Sequence, residues 1–528
     1  MTLIVSLLWS VVRCVCIASI AVWPVATIVS RIEGSPTVLS RRLRLLLAIF
    51  PFFLPELLIG FNYRLTVTQL TSGSSPIVAA TWTEALYGLL MFSRCTAVGV
   101  ALSMLLPRRS AADESLHSWI MLRLSMPSAT WWRGWIRLKI FGAWQKSFVA
   151  WSAMALVGFQ EFETAALMQI DQYPISWSVW LFDAHAARLP LWDSLKLVIG
   201  PLLCELAMLC PALCVLLAGP ASKDSDLGSS HSLSHRPTLW TSLAFSALLT
   251  PGVVLFAMWP LINNFLPIVR GGMLMLQSST FEQSSGQILT STGFAIGATV
   301  LSMGIAVRVL SAMTERHGAI RRCKLWTGKQ LAVANASRLN LARTATNAWS
   351  ISLLLFGLLG SLVLSLSLLA MFQMPVFRQL YDTWLPMLLG QTLAVLPFAV
   401  AVVLLLLRTS DPTALHSAKM LERSIASSVR RQMATIRWRL TTGRWLLGGL
   451  VIAHRCFWDV TVASILRPVE LEPVITRLYN EMHYGRTEAL MSLSIFAALT
   501  PVGIAILAIL LSRFMSHWMP SHNDYSAP

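Results

Sequence analysis

Two acidic residues lie inside long apolar runs, at matching places in two parts of the chain. Glu161 falls within "FQEFETAALM", Phe159 to Met168, and Asp459 within "FWDVTVASIL", Phe457 to Leu466. An ionisable group in such a run is costly to bury and normally faces a cavity or a partner. The chemistry it offers is charge, as a proton or sodium site or as a polar point on a solute path. A plainer reading is a structural ion pair, because Arg455 and Asp459 are spaced i, i+4 on one expected helix. Glu163, beside Glu161, would point towards another helix. Arg13, Glu56, Arg94 and Glu205 are further charges in apolar runs and have no symmetric counterpart, so packing within the bundle is their default reading. Pro51 and Pro55 are expected to break or kink their helix. The Ser and His residues form no set of nucleophile, base and orienting group.

The elements that must position these acids follow from composition. The 528 residues are 55% hydrophobic and 12% charged, with mean hydropathy +0.64. So much apolar surface needs lipid as solvent, which makes the expected class all-α and polytopic. Eleven runs are long enough to cross roughly 30 Å of hydrocarbon. They are 3–28, 45–61, 84–106, 147–168, 195–218, 238–265, 289–311, 348–371, 385–407, 445–466 and 490–512. The first is taken as a span rather than a signal peptide, since it is long, contains Arg13 and lacks a small-residue cleavage site.

The formal charge of +17 raises nucleic acid as a partner. The distribution of the basic residues argues against it. Of 41 Lys and Arg, 29 fall in the alternate connections 29–44, 107–146, 219–237, 312–347 and 408–444 and in the tail from Arg513. The opposite connections hold seven. The positive-inside rule makes the basic set cytoplasmic, with the N-terminus outside and the C-terminus inside. Most cysteines, including Cys14, Cys95 and Cys456, lie in spans and read as small packing residues. Cys210 and Cys214, at i, i+4, lack a third ligand for a metal site.

Comparing the two acid-bearing regions reveals an internal repeat. Phe159, Glu161 and Leu167 match Phe457, Asp459 and Ile465 at an offset of 298, and Leu181 and Phe182 match Leu478 and Tyr479 at 297. The preceding connections agree, with "SATWWR" (Ser128 to Arg133) aligned on "IASSVR" (Ile425 to Arg430) at 297. Duplications of this kind are typical of transporters. The expected domains are a first half, 1–218, a polar linker, 219–237, a second half, 238–513, and a tail, 514–528. The first half then has five spans and the second six, so one span is missing at the N-terminus.

The second half resembles a known family. "LYDTWLPMLLGQTLAVLPFAVAVV", from Leu380, and "FWDVTVASILRPVELEPVITRLYNEMHYGRTEAL", from Phe457, look like the fused permease subunits of bacterial ABC importers of the ferric-iron and thiamine type. "FPFFLPELLIGF", Phe50 to Phe61, is more loosely similar. The resemblance implies the type I importer fold in the bacterial inner membrane, two cytoplasmic ABC ATPase subunits, an extracytoplasmic solute-binding protein and ferric iron as cargo. Thiamine, organophosphonate or polyamine permeases are very similar. No cofactor is expected on the chain itself, with ATP used by the partners, since no GxxxxGK[ST] phosphate loop occurs. No enzymatic activity is expected.

The family docks its ATPases through a Glu-Ala-Ala motif followed, after three residues, by Gly. The corresponding Glu positions here are Leu122 and Lys419, and the Gly positions Ser128 and Ile425. The docking candidates are therefore Ala129, Trp132, Arg133, Ala426, Ser427 and Arg430, in loops that keep their basic character. After Asp459, Ile475, Leu478, Tyr479 and Met482 are spaced as one face of an amphipathic helix. Leu478, Tyr479, Asn480, Met482, His483, Tyr484 and Gly485 are its candidate outer-face residues, beside a pathway mouth or simply covering the bundle. Two alternatives stay open. One is an ion-gradient-driven secondary transporter using Glu161 and Asp459, and the other is a divergent, non-transporting membrane scaffold.

A reporter active only in the cytoplasm is expected to read inside when placed in 219–237 and outside when placed in 372–384. The opposite pattern would invert the orientation.

Overall fold

The computed structural model describes residues 2–35, 37–106, 120–121, 124–125, 131–141, 144–169, 175–186, 190–218, 239–275, 278–326, 352–354, 356–409, 412–421, 432–433, 436–438 and 440–518. Among these the structure is helical, with no strand. The chain divides into two compact units, 1–266 and 267–528.

Unit 1 contains α1 (Leu3–Glu33), α2 (Val38–Phe53), α3 (Glu56–Thr71), α4 (Pro76–Leu105), α5 (Trp131–Phe141), α6 (Gln145–Gln160), α7 (Glu163–Met168), α8 (Trp177–Ala186), α9 (Leu191–Ala218), α10 (Leu239–Val253) and α11 (Trp259–Asn263). A π-helical turn, Val254–Met258, joins the last two. Next come α12 (Phe265–Met275), α13 (Ser278–Trp326), α14 (Gly360–Gln373), α15 (Trp384–Thr409), α16 (Pro412–Leu421), α17 (Thr442–Phe457), α18 (Val460–Leu466), α19 (Val474–His483) and α20 (Thr487–Trp518).

Six helices are long and apolar enough to cross a membrane, or up to nine spans if each of three bent pairs counts as one. This is a multi-pass membrane protein. The nine coincide with nine of the eleven apolar runs. The remaining two, 147–168 and 195–218, are helical as α6 with α7 and as α9.

The bent pairs explain why several runs are not single helices. Helix α2 continues through Pro51 and stops before Pro55. Proline restricts the residue before it to extended backbone, and Leu54 is extended, with φ −84° and ψ 136°. The chain turns by 75° there. A second break in unit 1 separates α6 from α7 at Glu161, which is also extended. In unit 2 the corresponding breaks precede α14 and α18.

Element order and packing both repeat. Helices α6, α7 and α8 begin at 145, 163 and 177, while α17, α18 and α19 begin at 442, 460 and 474, each 297 residues later. Helix α1 packs on α4 and α6 as α13 packs on α15 and α17, and α3 packs on α7 as α14 packs on α18. In each unit, therefore, the two half-helices that follow the breaks lie against one another. Helices α10 and α11 pack within unit 1, on α1 to α4. Three polar bonds hold them to α3: Tyr63 Oη donates to Leu255 O (2.8 Å) at the π turn, Trp259 Nε1 donates to Thr66 Oγ1 (3.1 Å), and Asn264 donates to Asn62. The repeat boundary in the sequence and the packing boundary at Leu266 thus fall at different places.

Glycine permits close approaches to the half-helices α7 and α18. A Cβ on Gly60 would lie 3.1 Å from Thr164 Cα of α7, and one on Gly390 would lie 2.8 Å from Val462 Cγ1 of α18. Gly60→Val and Gly390→Val are each expected to lower stability by about 1–3 kcal/mol through overpacking, read as a fall in the thermal midpoint of the purified protein. Gly88→Val, where nothing lies within 4 Å, is the control and should leave the midpoint unchanged.

Candidate functional site

A break inside an apolar bundle exposes backbone N–H groups that water cannot reach. Unit 1 meets this need with Glu161. Its carboxylate accepts from Thr164 N at 2.5 Å and Ala165 N at 3.2 Å, which caps α7. It also accepts from Tyr87 Oη of α4 at 2.7 Å, and the residue is only 4% exposed. The chain after the break is tied back as well. Ser178 Oγ donates to Glu161 O (3.2 Å), Trp177 Nε1 donates to Phe159 O (2.9 Å), and the Trp177 ring stacks on Phe159 at 5.3 Å.

Around this cap lies a buried network of charges. The guanidinium of Arg13 on α1 pairs with Glu84 (3.1 Å), donates to Ser176 Oγ (2.6 Å) and sits 4.5 Å over the Tyr87 ring. Ser176 N and Oγ each donate to Gln169 Oε1 at 2.9 Å. Arg94 pairs with Glu56, both side chains being 6% exposed. Arg13, Glu56 and Arg94, whose default reading is packing within the bundle, form buried ion pairs in the same unit as Glu161. Glu205 is buried separately on α9.

Unit 2 solves the same problem with different residues. Asp459 is the N-cap of α18 and accepts from Val462 N (3.1 Å), with Ser361 Oγ at 3.5 Å. Helix α17 ends at Phe457, so Arg455 closes α17 while Asp459 opens α18, and the two do not lie on one continuous helix. The break intervenes. Asp459 is half-buried, and beside it Trp458 Nε1 and Gln391 Oε1 are buried without a hydrogen-bond partner. Gln391 Nε2 reaches Cys456 O at 3.4 Å.

The candidate outer-face residues form α19 and its end. Ile475, Leu478 and Met482 are buried, against α13, α18 and α20. Tyr479 and Asn480 are half-buried, and His483, Tyr484 and Gly485 are exposed. The Tyr479 and His483 rings meet at 4.4 Å, and burial pushes the Tyr479 phenol above its ordinary range, which keeps it neutral. Arg477 pairs with Glu481 at 3.0 Å, and Glu472 accepts from Gln287 at 2.8 Å. The Met-His-Tyr-Gly segment is a helix stop. Gly485 has φ 67°, its N–H donates to Met482 O, and Arg486 N donates to Glu481 O, the pattern of a left-handed C-terminal cap.

Of the docking candidates, Trp132 lies exposed on α5, which also carries Arg133. Ala129, Ala426, Ser427 and Arg430 lie outside the described residues, as do Leu122, Ser128 and Ile425. Lys419 is on α16. Among the described residues no group of three or more His, Cys, Asp or Glu is placed to hold a metal ion.

Sequence reasoning passed over Glu84, Tyr87, Gln169 and Ser176. A signal for two of them was present, because Glu84, Tyr87, Met91 and Arg94 follow a helical repeat that sets them on one face of α4. No protein-family model, curated protein or solved structure matches the chain.

Arg94→Met leaves Glu56 buried without its ion-pair partner and is expected to cost about 3–5 kcal/mol, seen as lost thermal stability or yield. Glu56→Leu combined with Arg94→Met should recover much of that loss. If the double variant is as damaged as the single one, the ion pair is not the cause.

Proposed function

We propose that this chain is the permease subunit of an ATP-binding-cassette importer, forming a solute pathway from its two repeated units. The carrying observation is a pair of broken helices in each unit, with an acid, Glu161 or Asp459, capping the half-helix after the second break and the helices around that break recurring at an interval of 297 residues. Repeats built around discontinuous helices are the usual construction of membrane transporters, because irregular backbone in the bilayer persists only where protein or a polar cavity satisfies it.

The family resemblance supports the importer class and the two ATPase subunits and solute-binding protein that go with it. Ferric iron is the first cargo to test. In this reading ATP binding closes the ATPases, the basic connections pass on the motion, and the units rock to open the path to each side in turn. The chain performs no covalent chemistry.

The buried charges around Glu161 favour one second reading, an ion-gradient-driven transporter. The readings separate in one experiment: gentle purification from native membranes, then native mass measurement and uptake assays in liposomes. An ATPase recovered at two copies per chain, with uptake that needs ATP, supports the importer. A chain that purifies alone and takes up solute on a proton or sodium gradient sinks it. In that second case Glu161→Gln and Asp459→Asn should each abolish uptake.

A further inference from the structure

The units differ in the connection that leaves the first broken helix. In unit 1, between α3 and α4, it is Ser72, Gly73, Ser74 and Ser75, turned by Gly73 at φ 80°. Its counterpart in unit 2, between α14 and α15, is "MPVFRQLYDT", Met374 to Thr383. Gln373 through Asp382 are all exposed, with Met374 at 53%, Val376 at 83% and the following Trp384 at 55%. The segment is ordered by its own contacts. Phe377 meets Phe372 edge to face, a short 3₁₀ turn spans Arg378–Leu380, and Asp382 Oδ1 accepts from Val469 N at 2.9 Å. Val469, also 83% exposed, joins the same surface.

The exposed apolar side chains Met374, Val376, Phe377, Leu380, Tyr381 and Trp384 need an occupant, while Arg378, Gln379 and Asp382 among them are polar. Three observations identify it. The patch is continuous with two apolar helices, one ending at Gln373 and the other starting at Trp384. Ten residues held at both ends extend at most about 17 Å from the helix ends, half of roughly 3.3–3.6 Å per residue. Its side chains have the chemistry of the bilayer interface: Phe377, Tyr381 and Trp384 are aromatic, and Arg378 has a long apolar stem that can carry its charge to lipid phosphates.

We propose that the Met374–Trp384 connection is a lipid-interface anchor, occupied by the headgroups and upper acyl chains of the bilayer. Through the bond between Asp382 and Val469, the anchor holds the chain that leaves α18, so the lipid interface steadies the second break of unit 2. The corresponding connection of unit 1, three serines and a glycine, carries no aromatic or basic residue. The proposal rests on the membrane location alone and is independent of the importer reading.

The test places a photo-crosslinking benzoylphenylalanine at Val376 in the full-length chain and irradiates native membranes. Ser74→benzoylphenylalanine, in the polar connection of unit 1, is the reference, and Val469→benzoylphenylalanine is the second probe should the first variant fail to accumulate. The expected result is phospholipid adducts several-fold more frequent at Val376 and Val469 than at Ser74. Adducts mainly with another protein would make the surface a protein docking site and overturn the proposal. Lipid adducts no more frequent than at Ser74 would overturn it as well.

Discussion

Everything in this architecture follows from one constraint: a helix cannot be interrupted inside a bilayer unless its freed backbone groups find partners. Here the interruption is the motif, and the partner supplied at the second break is a carboxylate from the chain itself. Glu161 binds two backbone N–H groups of α7, and Asp459 binds one of α18. A short side chain with two acceptor oxygens suits a helix start, where donors converge and the dipole favours negative charge. The cost is a buried acid, and the two units manage that cost differently.

Unit 1 surrounds its acid with further polar groups. Tyr87 donates to it, Arg13 stacks on Tyr87 and is held by Glu84 and Ser176, and Arg94 is paired with Glu56 nearby. Such a network is stable only when its members are satisfied together. Its reach across α1, α3, α4, α7 and α8 makes it a cross-brace for that unit. Unit 2 leaves Asp459 half-buried and two neighbouring polar atoms without partners. Unit 1 likewise leaves Arg94 Nε and Gln169 Nε2 without partners, so the two breaks share a backbone geometry and differ in which side chains surround the acid.

Small residues and the polar pins complete the arrangement. Half-helix α7 approaches α3 closely at Gly60, and half-helix α18 approaches α15 closely at Gly390, a common device where van der Waals packing rather than the hydrophobic effect must hold helices together. The hydrogen bonds that join α3 to the π turn, α11 and Asn264 fix the segment after the linker within unit 1, although the repeat assigns it to the second half. Packing partners, rather than order along the chain, define the units.

Much was legible in the sequence. Hydropathy and length identified the apolar segments, because lipid demands about 20 apolar residues per crossing. Constant spacing identified the repeat, and periodicity identified α19, whose buried Ile475, Leu478 and Met482 keep helical phase. Pro55 marked a break, since proline constrains its predecessor wherever it occurs. The other breaks were not legible. Nothing in the local run around Trp458 and Asp459 forbids a continuous helix, so the sequence places Arg455 and Asp459 on one helix where the structure has a break. Nor could the sequence join Arg13, Tyr87, Glu161 and Ser176, which are separated by up to 163 residues. Local pattern determined which segments enter the membrane and where the repeat lies. Only tertiary structure decided which charges meet, because a buried charge is satisfied by its neighbours in space, wherever they stand in the chain.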